Sequence, residues 1–230
     1  MANLMAAALA FLFLHRAISG SKLRETAARR FGETLYLRLF AAASVAILLW
    51  LGFAFAGARN RPENIDLWTA PPFALWLQPG IQFVAFLFIA SGLATPNPGT
   101  VRQQQLVNRP DIVQGMLRVT RHPFLWGVAI FAAGHLSVRS DVASWTLFGT
   151  MLIVAVSGTA SIDAKRRHLL GESWLDFSSQ TSNIPFLAIL GGRQRLNLEE
   201  IGWRPVLAAA AAWGASLFAH PYLFGGSALP

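Results

Sequence analysis

Apolar residues dominate six stretches of the 230-residue chain: Leu4 to Ile18, Leu35 to Gly57, Pro72 to Ala94, Pro123 to Leu136, Val142 to Ile162 and Val206 to Phe224. Crossing a hydrocarbon core takes roughly 20 apolar residues in a helix. The pattern therefore predicts an all-α, polytopic transmembrane bundle of about six spans. The first and fourth stretches are short and have to borrow neighbouring residues, which leaves five spans as the fallback. Pro79-Gly80 falls inside the third stretch. A proline there frees backbone groups that protein or water must satisfy, so a kink or a half-buried re-entrant segment is expected.

Between the spans, only Thr95 to Arg121 and Asp163 to Arg204 are long and polar. Each is too short to bury a core of its own, so residues 1–230 are expected to form one domain. In Gly20 to Glu33, Leu23, Ala27, Ala28 and Phe31 recur at helical spacing among arginines. That pattern fits a short amphipathic helix on the membrane surface, and equally a solvated connector. The N-terminal stretch has no basic residue before Arg16. It lacks the charged start of a signal peptide and reads as a retained first span.

Composition agrees: 54% of residues are hydrophobic and 13% charged, with mean hydropathy +0.45. The net charge of +8 is scattered between apolar runs and builds no continuous basic face, which excludes a nucleic-acid partner. Its placement instead orients the chain. If the spans alternate, sixteen of the nineteen Lys and Arg lie on one side, leaving Arg59, Arg61 and Arg139 on the other. Cytoplasmic loops carry the basic excess, so the long loops are expected inside and both termini outside, in a bacterial inner membrane. The chain has no cysteine, which excludes disulfides, thiolate metal sites and cysteine nucleophiles.

Five histidines are the main chemical resource. His15 lies late in the first span, His122 opens the fourth, His135 lies near that span's far end and His220 near the end of the sixth. His168 sits in a basic loop as a solvated side chain. Polar groups inside spans are costly and tend to mark sites. Imidazoles from two helices can hold a haem, with Trp126, Phe124 and Phe131 as apolar walls and Arg16 or Arg121 as propionate partners. Each histidine could equally be hydrogen-bonded to a neighbouring carbonyl. Arg121-His122-Pro123 also has a plain reading, with proline preorganised for a first helical turn and arginine reaching the interface. Trp145 and Trp203 fit interfacial belt positions.

The ordered motifs Gly115-Met-Leu-Arg-Val-Thr-Arg-His-Pro-Phe-Leu-Trp-Gly127, Ala133-Gly-His135-Leu and Thr181-Ser-Asn-Ile-Pro-Phe-Leu-Ala-Ile-Leu-Gly-Gly-Arg-Gln194 resemble the NnrU family. His15 with its basic loop, and Ala219-His220-Pro221, extend the resemblance to nearly the whole chain. It implies an integral membrane protein, and its carotenoid branch, which includes the plant zeta-carotene isomerase, implies haem b and a lipophilic polyene substrate. On this resemblance His15 and His135 are the iron ligands, His122 and His220 second choices, Arg121 a propionate partner and Trp126 a pocket wall. His122 and Arg121 are then the residues closest to the chemistry. Ala132 stands where the plant enzyme has a cysteine. Depth argues differently: at about 1.5 Å per residue, His135 lies roughly 20 Å from His122 toward the outer side. By depth alone His15 pairs with His122, and His135 with His220.

Arg-His-Pro at the head of a span, followed later by Asp163-Ala-Lys-Arg-Arg167, Gly171, Trp174 and Phe177, is also similar to isoprenylcysteine carboxyl methyltransferases and phospholipid methyltransferases. That resemblance implies an S-adenosylmethionine site, here with one acidic residue in place of two. A third expectation, from the family's association with nitric oxide and denitrification, is a non-enzymatic haem or accessory protein.

Overall fold

Every one of the six apolar stretches is helical. The computed structural model describes residues 1–18, 22–226 and 228–229, and among these the chain is all-α, with one isolated bridge between Asp66 and Asp141. Helix α1 (Ala2–Phe13) runs into a π-helical turn (Leu14–Ile18), and α2 is Lys22–Phe31. Then come α3 (Glu33–Ala58), α4 (Pro72–Ala94), α5 (Met116–Val119), α6 (Pro123–Leu136), α7 (Val142–Leu170), α8 (Glu172–Gln180), α9 (Leu187–Leu190) and α10 (Trp203–Phe224). Helices α3, α4, α7 and α10 are long and apolar enough to cross a membrane; Ala2–Ile18 and α6 are shorter apolar helices.

The amphipathic stretch forms α2, with Leu23 and Phe31 exposed; Gly20 lies outside the described residues. Pro79-Gly80, where a kink or a half-buried re-entrant segment is expected, lies inside α4, which continues through it as helix. Helix α7 continues past Ile162 to Leu170, so Asp163 is a helical residue rather than the start of a loop.

The described residues divide into two compact units, Met1–Leu75 with Ala132–Val154, and Trp76–Phe131 with Ala155–Pro230. In the first, Leu4, Ala7 and Ala8 of α1 bury against Leu51, Ala54 and Ala58 of α3 and against Ala143. Small side chains let the helices approach closely. The Trp50 indole N–H donates to Asn3 Oδ1 at 3.0 Å, while His15 meets Phe40 at the other end, so α1 and α3 run antiparallel. The loop after α3 is tied to the start of α7: Val142 N–H donates to Ile65 O at 3.2 Å, Leu67 N–H to Ser140 O at 3.0 Å and Ala143 N–H to Asn64 Oδ1 at 2.8 Å. Asp141 caps α7 by accepting the Ser144 N–H at 2.9 Å.

In the second unit, α4 and α6 touch through glycines. A Cβ on Gly92 would stand 2.4 Å from Phe124 N, and one on Gly127 2.7 Å from Ile89 N. Phe88, Met116 and Val119 form a core with Trp126, Ile130, Ile189 and Ile201 against it. The Trp213 indole N–H of α10 donates to Pro79 O at 2.9 Å.

Candidate functional site

Asp163 gathers the polar groups at the head of α6. Its Oδ1 accepts from Arg121 Nε at 2.9 Å and His122 Nε2 at 2.7 Å; its Oδ2 accepts from Arg121 Nη2 at 2.6 Å and Asn183 Nδ2 at 3.0 Å. His122 is 4% exposed. A carboxylate only accepts, so His122 Nε2 carries the proton in this bond. Backbone ties hold the cluster in register. Arg121 N–H donates to Ser182 O at 2.9 Å, Thr120 Oγ1 to Asn183 O at 2.5 Å, and Asn97 Nδ2 to Arg121 O at 2.9 Å. Pro123 occupies the first turn of α6 as its fixed φ allows. Arg121, in contrast, does not reach out to the interface: its guanidinium forks onto Asp163.

Beside this cluster, Arg118 forks onto Glu200, Nε to Oε2 at 2.7 Å and Nη2 to Oε1 at 2.8 Å, and its Nη1 donates to Gln194 Oε1 at 2.7 Å. The Gly115 N–H also reaches Glu200 Oε2, at 2.8 Å. Gly115 has φ 54°, and a Cβ there would lie 2.9 Å from Glu200 O, so the position suits glycine on two counts. The hydrogen bonds from Arg118, and then that from Gly115, hold the Glu200 carboxyl down at about 2.

The histidines are dispersed. His122 and His220 belong to the second unit, His15 and His135 to the first. His15 sits in the π-helical turn, an arrangement frequent at functional sites. Its Nδ1–H donates to Phe11 O at 3.0 Å, which leaves Nε2 as the nitrogen with a lone pair, the state a metal-binding imidazole needs. Its ring rests 4.2 Å from Phe11 and 5.5 Å, edge-on, from Phe40. His135 stacks on Phe148 at 4.3 Å, and Phe148 meets Phe55 at 6.3 Å. Phe40 and Phe55 both lie on α3, and their offset amounts to about 22 Å at ~1.5 Å per residue. The two histidines expected to share an iron therefore stand at opposite ends of α3 and are not brought together. His220 Nδ1–H donates to Gly226 O at 2.7 Å, and His168 is exposed at the end of α7. Trp126 packs into the Phe88 core, its indole N–H buried without a hydrogen-bond partner.

Sequence reasoning singled out Arg121 and His122 but not the groups that engage them. Asn183 lies in the quoted Thr181-Ser-Asn motif and Asp163 in the acidic-basic segment, yet nothing local says that they converge across separations of 20 to 42 residues. Arg118 and Gln194 also lie in the quoted motifs, without a role assigned there, and Asn97 and Glu200 carry no local signal at all.

Fold and site together define an α-helical protein with helices long and apolar enough to cross a membrane and a satisfied polar cluster at the head of the shorter apolar helix α6. Residues 3–228 match the family model described as NnrU protein, and the chain belongs to that family. It is similar to the chloroplastic 15-cis-zeta-carotene isomerase of Arabidopsis thaliana, 27% identical over 231 residues, covering 95% of this chain and 59% of the relative. It is also similar to the chloroplastic 15-cis-zeta-carotene isomerase of Zea mays, 26% identical over 215 residues, covering 88% of this chain and 56% of that protein. The chain thus spans less than two thirds of the length of these relatives. No solved structure matches it.

Proposed function

We propose that the chain is a membrane enzyme that isomerises a cis double bond in a lipid-dissolved polyene, as its plant relatives are named for doing. The observation that carries this reading is the extent of the similarity, 95% of the chain, with residues 3–228 matching the family model, rather than one motif. The scaffold suits such a substrate: the membrane-crossing helices present apolar side chains along their length, and a hydrocarbon polyene asks for apolar contact, not for hydrogen bonds.

Haem b fits this chain at one ligand rather than two. His15, with Nδ1–H held by Phe11 O and with aromatic surroundings, is the residue that would hold the group's iron, and His135 stands too far along α3 to bind the same iron. No group of three or more His, Asp or Glu able to hold a bare metal ion occurs among the described residues, whereas a porphyrin brings its own equatorial nitrogens. Haem bound there would supply a Lewis-acidic, one-electron centre. Phe11 O fixes the imidazole's orientation, and Phe11 and Phe40 keep its surroundings apolar. Arg121 is committed to Asp163 and is not assigned to a propionate. The same commitment weakens methyl transfer, because both oxygens of Asp163 are already occupied.

Two measurements test this. Co-expression with enzymes that produce a cis polyene, in a host without its own isomerase, should shift the chromatographic isomer ratio. An unchanged ratio with folded protein in the membrane overturns the reading, and a nitrogen-oxide growth defect on deletion would redirect it to an accessory role. Protein purified with ample haem should show a Soret band that His15→Ala abolishes and His135→Ala retains; the opposite result removes the ligand assignment.

A further inference from the structure

The segment 184–190 belongs to the polar stretch that the sequence places in the cytoplasm. Its apolar residues nevertheless stand outward: Ile184 is 54% exposed, Phe186 44%, Leu187 48% and Leu190 82%. The segment is firmly built. Phe186 holds a left-handed backbone, φ 66°, which is uncommon for a bulky residue, and its N–H donates to Val119 O at 2.8 Å. Ser182 Oγ accepts the Ala188 N–H at 3.0 Å, and Arg193 Nη1 donates to Ser179 O at 2.6 Å and Thr181 O at 2.8 Å. The bond to Val119, together with that from Arg121 to Ser182, fixes the segment beside the first turn of α6, where a span leaves the hydrocarbon.

Helix α9 is apolar on both of its sides. Ala188 is fully buried, and Ile189 packs against the core of Phe88, Met116 and Val119. Leu187 and Leu190 carry apolar surface to the other side. A rigid display of this kind is costly in water. Phe124 in the first turn of α6, the helix beside which the segment is fixed, and Trp203 at the start of α10 are exposed apolar residues as well.

We propose that Ile184, Phe186, Leu187 and Leu190 form a wedge that inserts among the acyl chains of phospholipids in the leaflet bordering the head of α6. The wedge follows directly on Asn183, which donates to Asp163, so lipid contact is one residue removed from the polar cluster. The part of the loop that carries it is therefore a membrane-embedded element and not a cytoplasmic connector.

The lack of cysteine makes the test direct. Leu190→Cys is labelled with an environment-sensitive fluorophore in the full chain in phospholipid nanodiscs, with Gln180→Cys, exposed at the end of α8, as the water-facing control. Both sites are on the surface, and thermal unfolding of each labelled protein checks that the fold is kept. The label at 190 is expected to emit further to the blue. It should be quenched several-fold more by lipids carrying a doxyl group near the headgroup, and several-fold less by aqueous iodide. Iodide quenching equal to the control overturns the proposal. So does shielding at 190 that disappears when each nanodisc holds a single copy, since a second chain would then be the cover.

Discussion

Asp163 concentrates the electrostatics of the site in one residue. A carboxylate at the end of an apolar helix loses hydration, and the Arg121 fork with the His122 and Asn183 donors replaces it. Removing only the acceptor leaves a guanidinium and an imidazole without a partner in a poorly hydrated place. Breaking a buried pair costs about 3–5 kcal/mol; Asp163 retains 20% side-chain exposure, so Asp163→Asn is expected to cost somewhat less, about 2–4 kcal/mol, seen as a lower Tm in detergent. Arg121→Met alone should be destabilising for the converse reason. The double variant Asp163→Leu, Arg121→Met should lose less than Asp163→Leu and Arg121→Met lose singly when added, because it strands neither charge of the pair. Strict additivity would show that the pair acts through something other than its charges.

At the scale of elements, helix contact and loop latching make separate demands. The α4 and α6 backbones meet at Gly92 and Gly127, where an added methyl would collide with backbone rather than with a flexible side chain. Gly92→Ala or Gly127→Ala is therefore expected to cost about 1–3 kcal/mol through overpacking, whereas Gly149→Ala, where a Cβ meets nothing within 4 Å, should be tolerated. The Arg118–Glu200 latch adds a pH dependence. Glu200 titrates at about 2 when folded, below its ordinary 4.5, so its stabilisation is complete above about 4.5 and is lost as the pH falls toward 2. Acid titration of Tm should show that loss, and Glu200→Gln should lower Tm near neutrality while flattening the curve below 4.5. These elements also show what a single sequence reveals. Hydropathy places α4 and α6 with the bounds they have, because a span is a local property of consecutive side chains. It cannot show that Trp213 of α10 meets the Pro79 carbonyl, and it ends α7 at the first charge because it cannot see Arg121 waiting for Asp163. It assigns His15 and His135 to one iron by resemblance, although their depths, also readable from the sequence, already place them apart.

For the molecule as a whole, charge and hydrogen bonding bear on topology independently. Sixteen of the nineteen basic residues fall on one side if six helices alternate, an asymmetry that a topology with the long loops outside would contradict. Loops bonded to each other must emerge on the same side, and the bonds observed obey that grouping within each unit. In the first unit, the loop after α3 is joined to the start of α7 through Ile65, Asp66 and Ser140. In the second, the stretch before α6 is joined to the far end of α7 and the loop beyond it, through Arg121 to Asp163, Arg118 to Glu200 and Arg166 to Gly99 O at 3.1 Å. Within the first unit those bonds place Arg139 on the same side as Arg59 and Arg61, as the charge asymmetry groups them. In a chain without cysteine, Glu63→Cys should react with a membrane-impermeant maleimide added to intact bacterial cells, and Asn108→Cys only after the membrane is opened. Equal labelling of both from outside would break the alternation that the basic residues imply.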